Sequence, residues 1–196
     1  MTRQEKKLLT KESIKKAAVH CFEKMDVDKT LVGQISKEAG VAHGTFYVHF
    51  KDKGELLDAL LDDFNEGLLK KCRPLFEGVS LSPESTYILI PKLCDLILTH
   101  MEQNKSFVSI YVLRMTKGAS VKELREGINP KVVGFFSEIM GSVFKLEKFE
   151  GIVLIQGILA LWMRVILQYF DGGPLSRERT LEILQKSTIG VLSNFS

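Results

Sequence analysis

The sequence predicts an all-α fold in two parts, a small N-terminal domain over residues 1–54 and a larger helical domain over residues 55–196. Three observations carry this. Apolar residues recur at helical spacing along most of the chain, and few stretches alternate as strands do. The run QISKEAGVAHGTFYVHFKDKGELL, Gln34 to Leu57, reads as a helix-turn-helix followed by a capped helix. The length of 196 residues, 45% of them hydrophobic, suffices for a small domain and one medium domain with a proper core.

A first helix is predicted from about Thr10 to Met25, with Ile14, Ala17, Ala18, Cys21 and Phe22 as its buried stripe and Lys11, Lys15 and Lys16 facing outward. Next, Ile35, Ala39, Val41, Phe46 and Phe50 are spaced to bury one face of two short helices against each other. Gly40 supplies the positive φ that a tight inter-helix turn needs. The second of these helices, roughly His43 to His49, carries polar His43, Thr45, Tyr47 and His49 between the apolar Phe46 and Phe50. Gly44 near its start permits close backbone approach, as the N-terminal end of a recognition helix requires in the major groove of DNA. Asp52 and Glu55 form an acidic capping box, so a fourth helix starts at Lys53 with its ammonium and free N–H groups aimed at a phosphate. That helix runs towards Arg73 and stops near Pro74. Leu56, Leu57, Leu60 and Leu61 pack its beginning onto the small domain, and Phe64, Leu68 and Leu69 continue into the larger one.

After a loop at Glu77 to Pro83, helical patterns cover Glu84 to Glu102, Lys105 to Lys117, Lys122 to Glu126 and Pro130 to Leu146, with Pro91 predicted to kink or interrupt the first. The segment Ile152 to Phe170 is apolar apart from Gln156, Arg164 and Gln168 and approaches the length of a membrane span. Arg164 inside it would be costly in lipid. The reading adopted is a helix buried on two sides: Ile152, Ile155, Leu159, Met163 and Ile166 face the domain core, while Gly157, Ala160, Arg164 and Gln168 form a stripe suited to close approach of another helix. The last helix, about Ser176 to Asn194, places Leu181, Leu184, Thr188, Val191 and Phe195 at near-heptad spacing. A dimer interface is therefore predicted from Gly157, Ala160, Arg164, Leu184, Thr188 and Val191.

Ala18 and Phe22, Ala39-Gly40-Val41, Gly44-Thr45-Phe46-Tyr47, His49-Phe50 and Lys53 together resemble the N-terminal half-pattern of the TetR family of transcriptional regulators. The likeness covers roughly Lys11 to Leu61. Three positions depart from it: Leu31 and Ala42 stand where the family has Ser or Thr helix caps, and Asp26 where it has Gly. Each lost cap costs on the order of 1 kcal/mol, although Thr30 could cap one residue early. The resemblance implies a three-helix DNA-binding domain and a larger helical domain for ligand binding and dimerisation, whose last two helices pair with their symmetry mates. It also implies a repressor: a homodimer on a palindromic operator in double-stranded DNA, released by a small hydrophobic or amphipathic effector. The candidate DNA-binding residues are Thr30, Gln34, His43, Gly44, Thr45, Tyr47, His49 and Lys53. Candidate effector-binding residues are Phe107, Tyr111, Phe136, Met140 and Trp162, because the larger domain is rich in Leu, Ile, Phe and Met with few charges to fix a polar compound.

The charge is uneven: residues 1–54 hold 11 Lys/Arg against 7 Asp/Glu, and the remainder 16 against 17. Beside the helix-turn-helix this excess favours phosphate. Cys21, Cys72 and Cys94 are odd in number and without a Cys-x-x-Cys pair, so reduced cytoplasmic thiols are predicted, with neither disulfides nor zinc. The N-terminal run is basic but lacks the apolar stretch of a signal peptide. No metal motif, phosphate loop or nucleophile elbow appears, so no cofactor and no enzymatic activity are predicted. Two alternatives stay open: a helix-turn-helix protein that binds DNA without any ligand, and a membrane-associated protein using Ile152 to Phe170.

Overall fold

The computed structural model describes residues 1–106, 108 and 129–195. Among these residues there are eight α-helices and no strand: α1 Arg3–Met25, α2 Val32–Glu38, α3 His43–His49, α4 Lys53–Cys72, α5 Pro83–Gln103, α6 Pro130–Phe144, α7 Lys148–Phe170 and α8 Arg177–Leu192. The all-α reading holds. The helix predicted at Lys122 to Glu126, and nearly all of that at Lys105 to Lys117, lie outside the described residues. The chain forms two compact units, Met1–Phe64 joined by Ser106 and Val108, and Asn65–Lys105 joined by 129–195; α4 contributes residues to both.

In the first unit, α1 starts seven residues before its predicted position. The cause is a capping box: Thr2 Oγ1 accepts from Glu5 N at 3.1 Å, and Glu5 Oε2 accepts from Thr2 N at 2.7 Å. The predicted stripe of α1 is buried in full, and Ile14, Ala18, Ile35, Phe46 and Leu56 have no exposed surface. Lys15, predicted to face outward, is instead buried, its ammonium 2.7 Å from Glu12 and 2.6 Å from Asp63 of α4. Burial opposes its charge, but hydrogen bonds to and attraction from those two carboxylates outweigh that and hold its pKa above the ordinary value. Gly40 has φ +68°, the conformation its turn requires.

In the second unit, each of three helices is started by a side-chain cap. Ser82 Oγ accepts from Ser85 N at 3.2 Å, Asn129 Oδ1 from Lys131 N at 2.9 Å, and Ser176 Oγ from Arg179 N at 3.2 Å. Pro91 lies inside α5 without ending it. The proline removes one backbone hydrogen bond, and the buried face of Ile90, Leu93, Cys94, Ile97 and Leu98 on either side keeps the helix continuous. The core line of α7 is Ile155, Ile158, Trp162 and Ile166, with Ile152, Leu159 and Met163 only half-buried, a slight rotation from the predicted face. By length and composition α7 could cross a membrane, and a third of its most apolar window is buried in the protein. A polar cluster ties α8 to α5: Arg177 pairs with Asp95 at 2.9 Å and Glu102 at 3.2 Å and donates to Thr99 at 2.8 Å, and the Tyr169 hydroxyl donates to Glu102 at 2.7 Å.

Candidate functional site

Helix α3 is seated by Phe46 and Phe50, both buried, so the opposite side of the same two turns must face water. His43, Gly44, Tyr47 and Val48 are exposed there, Tyr47 at 52% and Val48 at 66%, while Thr45 and His49 are half-buried at the edges. The rings of His43 and Tyr47 meet edge to face at 5.3 Å. Ala42 provides no side-chain cap, and the first turn closes by Thr45 N donating to Ala42 O at 2.8 Å. Val48, which sequence reasoning did not single out, stands exposed on the same face, four residues on from Gly44.

Two of the predicted DNA-contacting side chains are turned inward. Thr30 has no exposed surface and its hydroxyl donates to Asp26 O at 2.7 Å, so it neither caps α2 nor reaches a partner. Lys53 spends its ammonium on three carbonyls of the α1–α2 loop, Val27 O at 2.7 Å, Thr30 O at 3.0 Å and Asp28 O at 3.3 Å, in place of the predicted aim at phosphate. The physical reason is shared: the residues from Asp26 to Thr30 must turn the chain between helices, and their carbonyls need donors. Gln34 is exposed, and its Oε1 accepts from Leu31 N at 2.8 Å, the return half of a capping box that Leu31 itself cannot complete. Asp52 caps α4 as predicted, accepting from Glu55 N at 2.9 Å, while the Glu55 carboxylate accepts from Lys51 N. His49 Nδ1 is buried with no hydrogen-bond partner among the described residues. Its pKa is lowered, first by burial and then by the cations of Lys7 and Lys11, two residues that sequence reasoning had not placed beside it.

The second unit holds an apolar cavity of about 40 Å³ between α5, α6, α7 and α8. The predicted Phe136, Met140 and Trp162 line it, together with Ile90, Ile97 and Leu192; the predicted Phe107 and Tyr111 lie outside the described residues. The polar pair in its wall is self-satisfied: Trp162 Nε1 donates to Thr188 Oγ1 at 2.7 Å, and that hydroxyl donates to Leu184 O at 2.7 Å. Apolar voids of this kind stay dry.

Of the predicted interface residues, Gly157, Ala160 and Arg164 are exposed along α7 and Val191 is half-buried. Leu184 and Thr188 are corrected: both are buried within the protomer, Leu184 with no exposed surface, because the heptad stripe of α8 faces α5 and α7. Phe149, Val153, Leu161 and Phe195 extend the exposed apolar face, at 76%, 51%, 39% and 44% exposure. Among the described residues no group of His, Cys, Asp or Glu is arranged to hold a metal ion. Burial pushes the Cys72 and Cys94 thiols up to about 12, which favours the neutral thiol over the thiolate.

Residues 14–60 match the family model described as bacterial regulatory proteins, tetR family. Over 57 residues the chain is 42% identical to the HTH-type transcriptional regulator TtgR of Pseudomonas putida, covering 29% of this chain and 27% of that protein. It is 26% identical over 125 residues to the fatty acid metabolism regulator protein of Bacillus subtilis, 64% of this chain and 61% of that one. The chain spans only about a quarter to a third of the first curated relatives it matches, 27% to 35% of their length. Among solved structures, the transcriptional regulator FadR from Bacillus subtilis in complex with stearoyl-CoA has the same fold, with a TM-score of 0.65 at 16% identity over 94% of this chain and 98% of that one. The buried Phe46–Phe50 seat, the Gly40 turn and the exposed α3 face all lie within the matched segment, so it is over residues 14–60 that the chain is similar to the TetR family of bacterial regulatory proteins.

Proposed function

We propose that this chain is a DNA-binding transcriptional regulator of the cytoplasm, a repressor that grips a palindromic operator as a homodimer and is released by a hydrophobic or amphipathic small molecule. Residues 1–54 read DNA, and residues 55–196 bind the effector and dimerise. The observation that carries the reading is the outer face of α3, where His43, Gly44, Tyr47 and Val48 stand exposed on a helix seated by buried Phe46 and Phe50. The N-terminal end of such a helix enters the major groove, and a homodimer matches two half-sites about one helical turn apart. Thr45 and His49 edge this face, and Gln34 is exposed on α2.

The effector class follows from the cavity wall, which is apolar and whose hydroxyl and indole N–H already satisfy each other. A drug-sized ligand occupies roughly 300 Å³ or more, far above the 40 Å³ present. Among the described residues this cavity is too small for such a ligand, and one that enters it must favour an opened form. If the opened state spaces the recognition helices badly, ligand and DNA oppose each other by the ligand's differential affinity for the two states. The stearoyl-CoA carried by the Bacillus subtilis FadR structure makes a long apolar chain the first candidate to try. Among the described residues, the small volume of this cavity is what a second reading would rest on, a regulator that binds DNA without any ligand.

Selection of bound fragments from a random duplex library, followed by titration of the enriched sequence, tests the first claim: a two-fold symmetric motif bound by two chains is the expected result. Fatty acids and acyl-CoA esters are then added to the complex. Release at ligand concentrations that also raise Tm supports the effector reading. Binding that no apolar ligand alters selects the ligand-independent one, and absence of any enriched motif overturns both.

A further inference from the structure

Helix α1 carries Arg3, Lys7, Lys11 and Lys15 at four-residue intervals, which places them on one face about 6 Å apart along the axis. Only the innermost is neutralised. Lys15 is buried between Glu12 and Asp63, whereas Arg3, Lys7 and Lys11 make no ion pair among the described residues. The nearby carboxylates are occupied elsewhere, Glu5 by the Thr2 cap and Glu12 by Lys15. Like charges at this spacing weaken a helix, and residues 1–9 are all exposed, so no packing offsets the repulsion. The stripe ends beside the recognition helix: the Lys11 ammonium lies 5.3 Å from the centroid of Phe50, the residue that closes α3. Lys7 and Lys11 are also the cations that act on His49 at the end of α3.

We infer that the outer turns of α1 form a second DNA contact, in which Arg3, Lys7 and Lys11 bind backbone phosphates flanking the groove occupied by α3. The stripe lies ahead of the matched segment 14–60, so the family likeness does not assign it. The inference rests on the DNA-binding reading. One strand of a duplex offers a negative charge per roughly 3.4 Å of axis, so cations about 6 Å apart can each meet a separate phosphate. Such contacts carry no sequence information; they add affinity and fix the angle at which α3 is presented.

The test is anisotropy titration of a random-sequence duplex longer than two helical turns, at salt from about 50 to 200 mM, with the full chain. The triple variant R3Q/K7Q/K11Q should lower the slope of log K against log salt by roughly 2 to 3, and K7Q alone by about 1, since each lost phosphate contact removes about 0.9. Lys16→Gln, on another face of α1, should leave the slope unchanged. All these side chains except Lys11 are exposed, so the single K7Q slope stands even if the triple variant loses helix by circular dichroism. A triple variant that keeps the parent slope while the parent binds DNA overturns this inference alone. Equal slope loss in Lys16→Gln overturns it as well, because general charge would then be the cause. An unaltered chain that fails to bind duplex at the lowest salt overturns the DNA-binding reading itself.

Discussion

Asp26 closes α1 with φ 62° and ψ 151°, a conformation that nearly always requires glycine. The resemblance places Gly at this position, and the backbone here lies outside the left-handed region that Asp tolerates. Its carbonyl is held by both the amide and the hydroxyl of Thr30, at 3.2 Å and 2.7 Å, which maintains the strain. Asp26→Gly should therefore stabilise the protein by about 1 kcal/mol, the strain of roughly 1–3 kcal/mol released less the entropy that glycine adds to the unfolded chain. Denaturant titration at constant m-value checks this, and no change or a loss would show the backbone to be unstrained. Lys53 invites the opposite experiment. All three of its N–H donors are committed to Val27, Asp28 and Thr30 carbonyls, so Lys53→Met should cost roughly 1–3 kcal/mol of stability. DNA affinity should fall through displacement of the loop ahead of α2, with the salt slope intact. A slope smaller by about 1 would instead make Lys53 a phosphate ligand.

At the scale of the element, α7 and α8 are joined by one buried polar pair. Trp162 donates to Thr188, which in turn donates to the Leu184 carbonyl, so Thr188 serves two groups at once. Thr188→Val keeps shape but strands the indole N–H beside an apolar cavity, and should destabilise the second unit by about 1–3 kcal/mol. Thr188→Ser retains the acceptor and should recover most of that loss. Equal destabilisation by Val and Ser, read from chemical denaturation, would assign the effect to packing instead. The Arg177 cluster works differently. It is partly exposed, its pairs with Asp95 and Glu102 are screened by solvent, and its role is to set where α8 begins against α5.

For the whole molecule, the proposed dimer rests on the face of α7 that the protomer leaves uncovered. Among the described residues a Cβ placed on Gly157 meets nothing within 4 Å, so a larger side chain there points into open space within one chain and would obstruct a second. Gly157→Trp should then leave the helical circular dichroism and thermal transition of the protomer close to the parent's, yet abolish association at micromolar concentration. Val191→Asp, half-buried on α8 at the same face, should do likewise. Sedimentation equilibrium decides: a parent chain that is monomeric throughout removes the dimer, and a Gly157→Trp chain that still dimerises places the interface elsewhere. Operator affinity should collapse with the dimer, because one half-site supplies only half the contacts.

Periodicity and turn chemistry alone determined the helical class, the span of α3 from His43 to His49, the left-handed turn at Gly40 and the buried stripe of α1. Each follows from local rules, namely the 3.6-residue repeat and the φ tolerance of glycine. The start of α1 was also written locally, in Thr2 and Glu5, and escaped notice because its outer turns bury nothing. What only the tertiary structure decided is the destination of particular polar side chains. Lys15 and Lys53 look alike in sequence to exposed lysines, and Thr30, Leu184 and Thr188 to surface or interface positions. Their fates depend on Asp63, on the Asp26–Thr30 carbonyls, on Trp162 and on the packing of α8 against α5 and α7, groups brought close by chain segments up to 48 residues away. Helical spacing tells which face is buried, but not which donor or acceptor will meet it there, and a buried polar group takes whichever partner the packing of other elements supplies.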